Sequence, residues 1–365
     1  MRAKTRSALK TAGIVLLAIL LALIALYIAV PVKAMADFYA DLDEQKERIS
    51  SLKENPPAPI DEQAIAGFDL SRASEIKFNE IQFIISHNSY KKNISDLNYI
   101  LLSPFTGVKP SRYEHDFILN QLNDGARGVE LDIQYVNKRF LVFHIAVKDS
   151  RTHCPSWELA VEELKIWSDA NPNHLPICVL VEIKAENLPI EVYKRLDQTI
   201  ESVFGRDKLI TPSLLMGENE TLRSVADKND WVTLDKVLGK AMFILHPCDG
   251  TDKYIEADPT MRSQVMVPMF AAAELQSENP KHSDYYLLLK NDDPDPEKIQ
   301  PLVNSGFMVR TRMDEPLIYS EERKRQAIAS GAQIISADYQ KGVVYPKVGY
   351  ISELAEGKTV ILRRP

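Results

Sequence analysis

Short runs rich in β-branched and aromatic residues recur along the chain and alternate with longer polar or helical stretches. This alternation indicates βα units around a parallel sheet, because the crossover between two parallel strands is usually a helix. The predicted strands are residues 81–86, 128–134, 140–145, 177–184, 241–247, 307–313 and 332–338, with weaker candidates at 209–210, 265–270 and 285–289. Residues 157–170 and 321–330 are predicted helices.

The number of strands distinguishes two parallel α/β architectures. Seven to nine strands in about 260 residues favour one TIM-type (β/α)8 barrel, which is the usual size of that domain. A doubly wound sheet is disfavoured because no glycine-rich phosphate loop follows the first predicted strand. We therefore predict an α/β fold with a TIM-type barrel, and the apolar fraction of 45% is that of an ordinary folded protein.

Residues 11–32 contain no charged side chain. At about 1.5 Å per helical residue this stretch covers roughly 33 Å, enough to cross the hydrocarbon core of a bilayer. Four basic residues and no acid precede it, so we expect a cytoplasmic N-terminus and a barrel on the extracytoplasmic side, periplasmic or extracellular. The alternative is a signal peptide cleaved near Ala36, which would leave a secreted protein.

The sequence divides into five segments. They are a basic N-terminal segment (1–10), a transmembrane anchor or uncleaved signal (11–32), a stalk with a Pro-rich linker (33–75), the barrel (76–345) and a C-terminal tail (346–365). Three cysteines without CxxC spacing indicate neither a zinc cluster nor a disulfide scaffold, and they allow one disulfide at most among Cys154, Cys178 and Cys248.

The charge distribution restricts the ligands that the protein can bind. The formal net charge is −7 for the whole chain and −12 for residues 34–365, because five basic side chains and no acid lie before residue 34. Such an acidic body is unsuited to sequence-independent nucleic-acid binding and to simple electrostatic adhesion to anionic lipid. Nothing in the sequence indicates a protein partner, and a bound phosphate group would have to meet local cations.

Alternation along the predicted strands places polar side chains on the inner face of the barrel. In the second strand the apolar positions face the helices, so Glu130 and Asp132 point inward, and the same reasoning turns Glu182 and Lys184 inward. Other polar residues lie toward C-terminal strand ends, where barrel active sites are built: His87, Asn88, His144, Arg310 and Arg312.

Three inward carboxylates are costly to bury unless a cation neutralises them. Glu130, Asp132 and Glu182, with the amide of Asn88, offer only oxygen ligands, which favour calcium or magnesium over zinc. Taken singly, each polar residue also fits a structural role as a salt-bridge partner or a satisfied strand-end side chain. Their convergence on one end of the barrel is what predicts a site.

Several motifs follow one another in an order that a known family shares. They are Ser-His-Asn-Ser-Tyr at 86–90, Gly-Ala-Arg-Gly-Val-Glu-Leu-Asp at 125–132, His144 and Val-Glu-Ile-Lys at 181–184, with weaker likenesses at 306–312 and 329–338. Over most of residues 80–345 the chain thereby resembles the calcium-dependent phosphoinositide-specific phospholipase C family, in particular its bacterial branch. The anchor and stalk have no part in this resemblance.

The resemblance implies a reaction and the residues that perform it. The expected substrate is a phosphatidylinositol-type lipid, cleaved to diacylglycerol and a cyclic inositol phosphate by attack of the inositol 2-hydroxyl on phosphorus. The implied calcium ligands are Asn88, Glu130, Asp132 and Glu182. His87 and His144 become the acid/base pair, with the division of roles left open. Three carboxylates around one Ca²⁺ would still repel a phosphodiester, so a further cation is expected from Lys184 first, then Arg310 or Arg312.

Two other functions stay open at this point. A glycerophosphodiester phosphodiesterase also uses two histidines and carboxylate ligands in a barrel, but it usually has His-Arg where this chain has His87 followed by Asn88. A membrane-tethered module that binds lipid head groups without turnover is the second alternative. For membrane contact the sequence offers the apolar loop at residues 101–105, which could equally be ordinary barrel packing.

Overall fold

A computed structural model describes residues 2–94, 99–100, 112–277, 280–315, 317–345 and 348–363, and the side chains from residue 10 onward. The candidate membrane loop at residues 101–105 lies outside the described residues.

Eight parallel strands close into a barrel. They are β1 (Ile81–Ser86), β2 (Gly128–Val136), β4 (Ile177–Ile183), β5 (Ala241–Leu245), β6 (Val267–Ala271), β7 (Leu288–Lys290), β8 (Met308–Arg312) and β9 (Ile334–Ala337). Each pairs with the next in this order, and β9 pairs back with β1 to complete the ring. The predicted TIM-type barrel is therefore confirmed, and two of the three weaker strand candidates are the barrel strands β6 and β7.

Two further strands pair with the barrel from outside. β3 (Arg139–Val142) runs antiparallel to the end of β2, and β10 (Val360–Leu362) runs antiparallel to β1. The predicted strand at residues 140–145 is thus half of a hairpin rather than a barrel strand. The physical reason is the turn: Asn137 and Lys138 both have positive φ, 50° and 62°, as a two-residue hairpin turn requires. The candidate at residues 209–210 forms only a bridge from Leu209 to Ala241.

Helices cover the outside of the barrel and fill the connections between strands. They are α1 (Arg2–Glu54), α2 (Glu62–Ile65), α3 (Ile118–Asn123), α4 (Trp157–Ala170), α5 (Ile190–Phe204), α6 (Pro212–Met216), α7 (Leu222–Asp227), α8 (Thr251–Ala257), α9 (Pro296–Asn304) and α10 (Glu321–Ala329). Ser156 caps α4 by accepting a hydrogen bond from the Leu159 amide, and Ser320 caps α10 in the same way through Arg323. Both predicted helices therefore begin at the expected residues.

The helix α1 is a single helix of 53 residues that contains the uncharged stretch. Among the described residues it is the one helix long and apolar enough to cross a membrane, judged by length and composition. Its apolar side chains at residues 11–32 are largely exposed, whereas Ala34, Asp41, Gln45 and Ile49 further along are buried against the barrel. The segment predicted as a stalk is therefore partly docked on the barrel.

The two ends of the body meet at the N-terminal end of the barrel. Residues of the predicted C-terminal tail form β10, and the Gly67 amide donates to the Val360 carbonyl at 2.7 Å. The Lys358 ammonium donates to the Ala64 carbonyl at 2.8 Å. The tail and the segment before β1 thus fasten to each other beside β1, although the boundaries at residues 75 and 345 stay predictions.

Candidate active site

A pocket of about 280 Å³ opens at the C-terminal end of the barrel. Its lining combines acids, bases and cations: His87, Asn88, Tyr113, Glu130, His144, Glu182, Lys184, Arg312, Glu315 and Asp338. A larger cavity of about 1030 Å³ lies at the other end, beside Gln82 and Leu362, but its lining contains none of the predicted site residues. The chemistry of the lining, and not the volume, makes the smaller pocket the candidate site.

Three carboxylates from adjacent strands meet at this pocket. Asp132 on β2 is in register with Glu182 on β4, and Glu130 lies two residues earlier on the same face of β2. One oxygen from each of the three lies within 4.8 Å of the others. Strand alternation therefore brings together the acids that the sequence pattern predicted to converge.

The donor set fits a calcium ion. Both carboxylate oxygens of Asp132 are buried and accept no hydrogen bond, although the Lys184 ammonium lies 3.2 Å from Oδ2. Asn88 lines the same pocket, and its amide nitrogen donates to the Tyr113 hydroxyl at 2.7 Å, which leaves Oδ1 to accept from Tyr90 at 3.2 Å and to face the pocket. Hard oxygen ligands with unused lone pairs are those that calcium prefers.

Burial destabilises the ionised forms of Glu130 and Asp132. It raises the pKa of Glu130 to about 7 and that of Asp132 to about 6, because the opposing charges of His87, Arg310 and Lys184 only partly compensate. A divalent cation among these oxygens would remove that cost.

His87 follows β1 and is held between two carboxylates. Its Nδ1 is 2.7 Å from Asp338 Oδ1, and its Nε2 is 3.0 Å from Glu315 Oε1. Burial alone would lower the pKa of His87, but the charges of Glu315 and Asp338 outweigh it and raise the pKa to about 10. The two carboxylates therefore favour the protonated form of the ring.

His144 lies in the loop after the β2–β3 hairpin. Its Nδ1 is 2.7 Å from Asp149 Oδ2, and the other oxygen of Asp149 binds the fully buried ammonium of Lys91. The backbones of Ile145 and Asp149 exchange hydrogen bonds of 3.1 and 2.9 Å. This tight loop places Asp149 beside the ring, and the remaining ring nitrogen is free to face the pocket because the side chain is 27% exposed.

The three predicted cations occupy different positions. Lys184 and Arg312 line the pocket: Lys184 Nζ is 2.6 Å from Glu182 Oε1, and Arg312 Nε is 2.7 Å from Glu315 Oε2. Arg310 is completely buried behind the carboxylates and does not line the pocket. Its guanidinium binds Asp292, lies 3.4 Å from Glu130 and 3.3 Å from Glu315, and donates to Ser336 Oγ at 3.0 Å. It neutralises acids rather than facing a ligand.

Sequence reasoning missed several residues of the site. Asp338 directly follows β9, so the strand-end rule that selected His87 could have selected it as well. Glu315 lies three residues beyond β8, and Asp149 depends on the shape of the His144 loop, for which the sequence carries no signal. The three cysteines, all within the described residues, are free, and burial raises the pKa of each thiol.

Comparison with known proteins identifies the family and the fold of the chain. A family model described as phosphoinositide phospholipase C, Ca²⁺-dependent, matches residues 76–139 and 134–363. Among solved structures, the fold is similar to that of a calcium-dependent phosphoinositol-specific phospholipase C from a Gram-negative bacterium, Pseudomonas sp., with a TM-score of 0.59 and 17% identity over 82% of this chain and 99% of that one. It is also similar to a Ca²⁺-dependent phosphatidylinositol-specific phospholipase C from Streptomyces antibioticus, with a TM-score of 0.53 and 16% identity over 72% of this chain and 95% of that one.

A search of the curated proteins finds no match. The family model nevertheless spans nearly the whole barrel together with β10, and the barrel encloses the acidic, histidine-containing pocket described above. The chain therefore belongs to the Ca²⁺-dependent phosphoinositide phospholipase C family.

Proposed function

We propose that this phospholipase cleaves phosphatidylinositol-type lipids to diacylglycerol and a cyclic inositol phosphate in a calcium-dependent reaction. The observation that carries the proposal is the meeting, in one pocket, of two carboxylate-held histidines, His87 and His144, with Glu130 and Glu182, which cluster with the buried Asp132. The Pseudomonas relative of the same fold was also solved as a myoinositol complex, which supports an inositol-containing substrate.

Asn88, Glu130, Asp132 and Glu182 would hold the calcium. When bound there, calcium would stabilise charge on the phosphoryl oxygens and favour ionisation of the attacking hydroxyl. Lys184 and Arg312 would add positive charge beside the phosphate. The buried Arg310 would hold the carboxylates of Glu130 and Glu315 in position through its ion pairs with them.

The two histidines would have different roles in the reaction. His87 lies between Asp338 and Glu315, which favour its protonated form, so it suits stabilisation of a negative phosphoryl oxygen. Asp149 fixes Nδ1 of His144 and leaves Nε2 to protonate the departing glycerol oxygen. In this reaction the bond from the inositol 2-oxygen to phosphorus forms, and the bond from phosphorus to the glycerol oxygen breaks. The 2-hydroxyl proton passes to a pocket carboxylate, for which Glu130 is the candidate.

The membrane is the natural place for this reaction. A phosphatidylinositol-type substrate resides in a bilayer, and α1 has the length and composition to anchor the enzyme there. The basic residues before the uncharged stretch support a barrel on the extracytoplasmic side, or a secreted barrel if the chain is cleaved near Ala36.

The test uses the full chain in detergent micelles, with phosphatidylinositol and the water-soluble glycerophosphoinositol as separate substrates, in calcium and in excess chelator. We expect calcium-dependent release of diacylglycerol and a cyclic inositol phosphate. Cleavage of the deacylated substrate alone, to glycerol phosphate, would identify a phosphodiesterase instead. Calcium binding without turnover of either substrate would indicate a head-group binding module.

A further inference from the structure

The C-terminal half of α1 lies along the side of the barrel. Followed backward from Glu54, it leads toward the catalytic end. Helix α4 begins at that end, because it follows the loop that carries His144, and its later residues lead toward the opposite end. From its C-terminal end backward, α1 contacts first the body of α4, then the residue that caps α4, and then the loop that precedes it. The pairs are Lys53 with Glu162, Arg48 with Glu163, Gln45 with Ser156, Asp41 with Arg151 and Phe38 with Phe143.

These contacts fix the direction in which the uncharged stretch leaves the barrel. Asp41 is 2% exposed and receives hydrogen bonds from Arg151 at 2.8 and 2.9 Å and from Lys92 at 2.9 Å, so the helix is firmly attached at this level. Beyond Phe38 the unbroken helix continues past the catalytic end. The apolar segment therefore extends on the side where the pocket opens, and a bilayer around it would face the pocket.

The height of the pocket above that bilayer follows from helix geometry. Phe38 contacts Phe143, the neighbour of His144, and lies six residues after Val32, the last residue of the uncharged stretch. At about 1.5 Å per residue this separation is roughly 9 Å along the helix, and any tilt makes the height above the hydrocarbon smaller. The polar layer of a leaflet is about 5 to 7 Å thick, so its phosphates would lie close to the level of His144.

The surface on that side is apolar. A groove of about 710 Å³ separates α1 from the β2–β3 hairpin and the His144 loop. Its walls include Pro31, Met35, Phe38 and Leu42 of α1, and Val136 and Phe143 opposite. Met35 is 58% exposed, Tyr39 54%, Val136 41% and, beside the groove, Ile145 43%. We call residues 34–42, Val136 and residues 145–147 the rim.

Cations flank the rim. Lys138 and Arg139 at the hairpin turn and Lys148 in the His144 loop are exposed, whereas the two acids of α1 within the rim are paired, Asp37 with Lys33 and Asp41 with Arg151, each at 2.8 Å. On a body of strongly negative charge this is a local basic edge. Basic side chains beside an anionic membrane surface contribute about 1 kcal/mol each. Apolar surface with a basic edge matches the interfacial region of an anionic leaflet.

We propose that the rim rests on the same bilayer that holds α1, with lipid against the end of the groove formed by Pro31 and Met35, so that the enzyme cleaves lipids of its own membrane. The orientation rests on the contacts of α1, and the cleavage rests on the proposed function. A catalytic pocket fixed in this way takes lipid from the leaflet beneath it in cis and has poor access to separate vesicles.

The first experiment compares cis and trans turnover. The full chain is reconstituted in vesicles that contain labelled phosphatidylinositol and anionic lipid, or in unlabelled vesicles mixed with labelled acceptor vesicles of that composition. We expect cis turnover to exceed trans turnover at least tenfold at equal bulk lipid, and equal rates would contradict the proposal. Turnover of a water-soluble substrate on the same samples reports the proposed function separately.

Two substitutions at exposed apolar positions make the comparison specific. Val136→Gln on the rim should lower cis turnover at least threefold relative to turnover of the soluble substrate. Leu362→Gln is the matched control, because Leu362 is 37% exposed and pairs with Ile81 at the start of β1, at the opposite end of the barrel. It should leave that ratio at the wild-type value, and equal ratios in the two variants would refute a role for the rim.

A second measurement does not depend on activity. In a Cys248→Ser background, Val136→Cys and Leu362→Cys are labelled with an environment-sensitive fluorophore and reconstituted with lipids that carry a quencher high on the acyl chain. The rim label should be strongly quenched and the Leu362 label should not. Unquenched labels at both positions would overturn the proposal, as would energy transfer between labelled copies with no lipid quenching at Val136, which would make the rim an interface between two chains.

Discussion

His144 and His282 each lie beside an aspartate carboxylate but differ in their surroundings. His144 is 2.7 Å from Asp149 at the pocket, whereas His282 is 2.6 Å from Asp252 and does not line the pocket. We predict that His144→Ala lowers kcat on micellar phosphatidylinositol by about 10²- to 10⁴-fold, the usual contribution of a positioned proton donor. His282→Ala should stay near wild-type. Steady-state kinetics in saturating calcium measure both, and similar losses would remove His144 from the proposed mechanism.

Calcium should stabilise the folded chain through Asp132. Calcium that binds only the folded state at 100 times its dissociation constant adds about 2.7 kcal/mol to the free energy of unfolding. We predict a calcium-dependent rise in Tm for the wild type in detergent, which excess chelator abolishes. Asp132→Asn should lose most of this rise because it removes a buried ligand charge. Asp227→Asn, on the exposed surface of α7, should retain the full rise, and equal shifts in the two variants would contradict the assigned ligand.

For single residues, the alternation of side chains along predicted strands identified most of the inward-facing acids. It located Glu130, Asp132 and Glu182 because period-2 geometry holds in any buried parallel strand. It could not distinguish Arg312, which lines the pocket, from Arg310, which lies behind it. That difference depends on depth within the barrel and on Glu315 and Asp292, which come from loops whose course the sequence does not reveal.

Prediction of the secondary-structure elements from the sequence had a similar limit. Barrel strands and the helices α4 and α10 followed from apolar periodicity and capping residues, but the hairpin β2–β3 did not. Its turn uses Asn137 and Lys138 in place of the glycine-containing pairs that usually mark such turns. The docking of α1 was also missed, since a segment rich in charged residues suggests exposure until its partners on another element are known.

Removal of one buried carboxylate should loosen α1 from the barrel. Asp41 is the shared acceptor of Arg151 and Lys92 and is almost fully buried, so Asp41→Ala removes the carboxylate that pairs with Arg151 and leaves Lys92 paired with Glu44 alone. We predict a loss of about 2 to 3 kcal/mol in the free energy of unfolding. Asp43→Ala on the exposed side of the same helix should cost little, because surface pairs such as Asp43 with Lys46 contribute at most about 1 kcal/mol. Denaturant unfolding in detergent compares them, and equal losses would argue against docking through Asp41.

Asp197 on α5 should make stability depend on pH. Burial raises the pKa of this carboxyl from 3.8 to about 7, against the hydrogen bonds it accepts from Tyr254, Val265 and Met266. The folded state then binds the proton more tightly than the unfolded state, so stability falls as pH rises between about 4 and 7, by at most about 1.4 kcal/mol per pH unit. Asp197→Asn should flatten this slope, measured by unfolding at a series of pH values. An unchanged slope would exclude Asp197 as its source.

For the whole molecule, the docked part of α1 decides which fragments are functional. A chain beginning at residue 37, as cleavage near Ala36 would produce, retains Asp41, Gln45 and Arg48 against the barrel. A chain beginning at residue 57 lacks all of them. We predict that the first fragment matches the Tm and micellar kcat of the full chain and that the second unfolds at a lower temperature. Identical melting of both fragments would show that α1 contributes nothing to the barrel.

The pairing of β1 with β9 has a consequence for how the protein is made. This seam joins segments about 250 residues apart, and β10, which follows β9 along the chain, is added to it later still. The cylinder must therefore stay open while ribosomes complete the chain, and long-range closure of this kind is slow. The apolar helix α1 precedes the barrel strands and can meet the lipid phase while the barrel is unfinished. Maturation would then take place beside a membrane surface, with unpaired strands that need protection from neighbouring nascent chains until β9 and β10 are made.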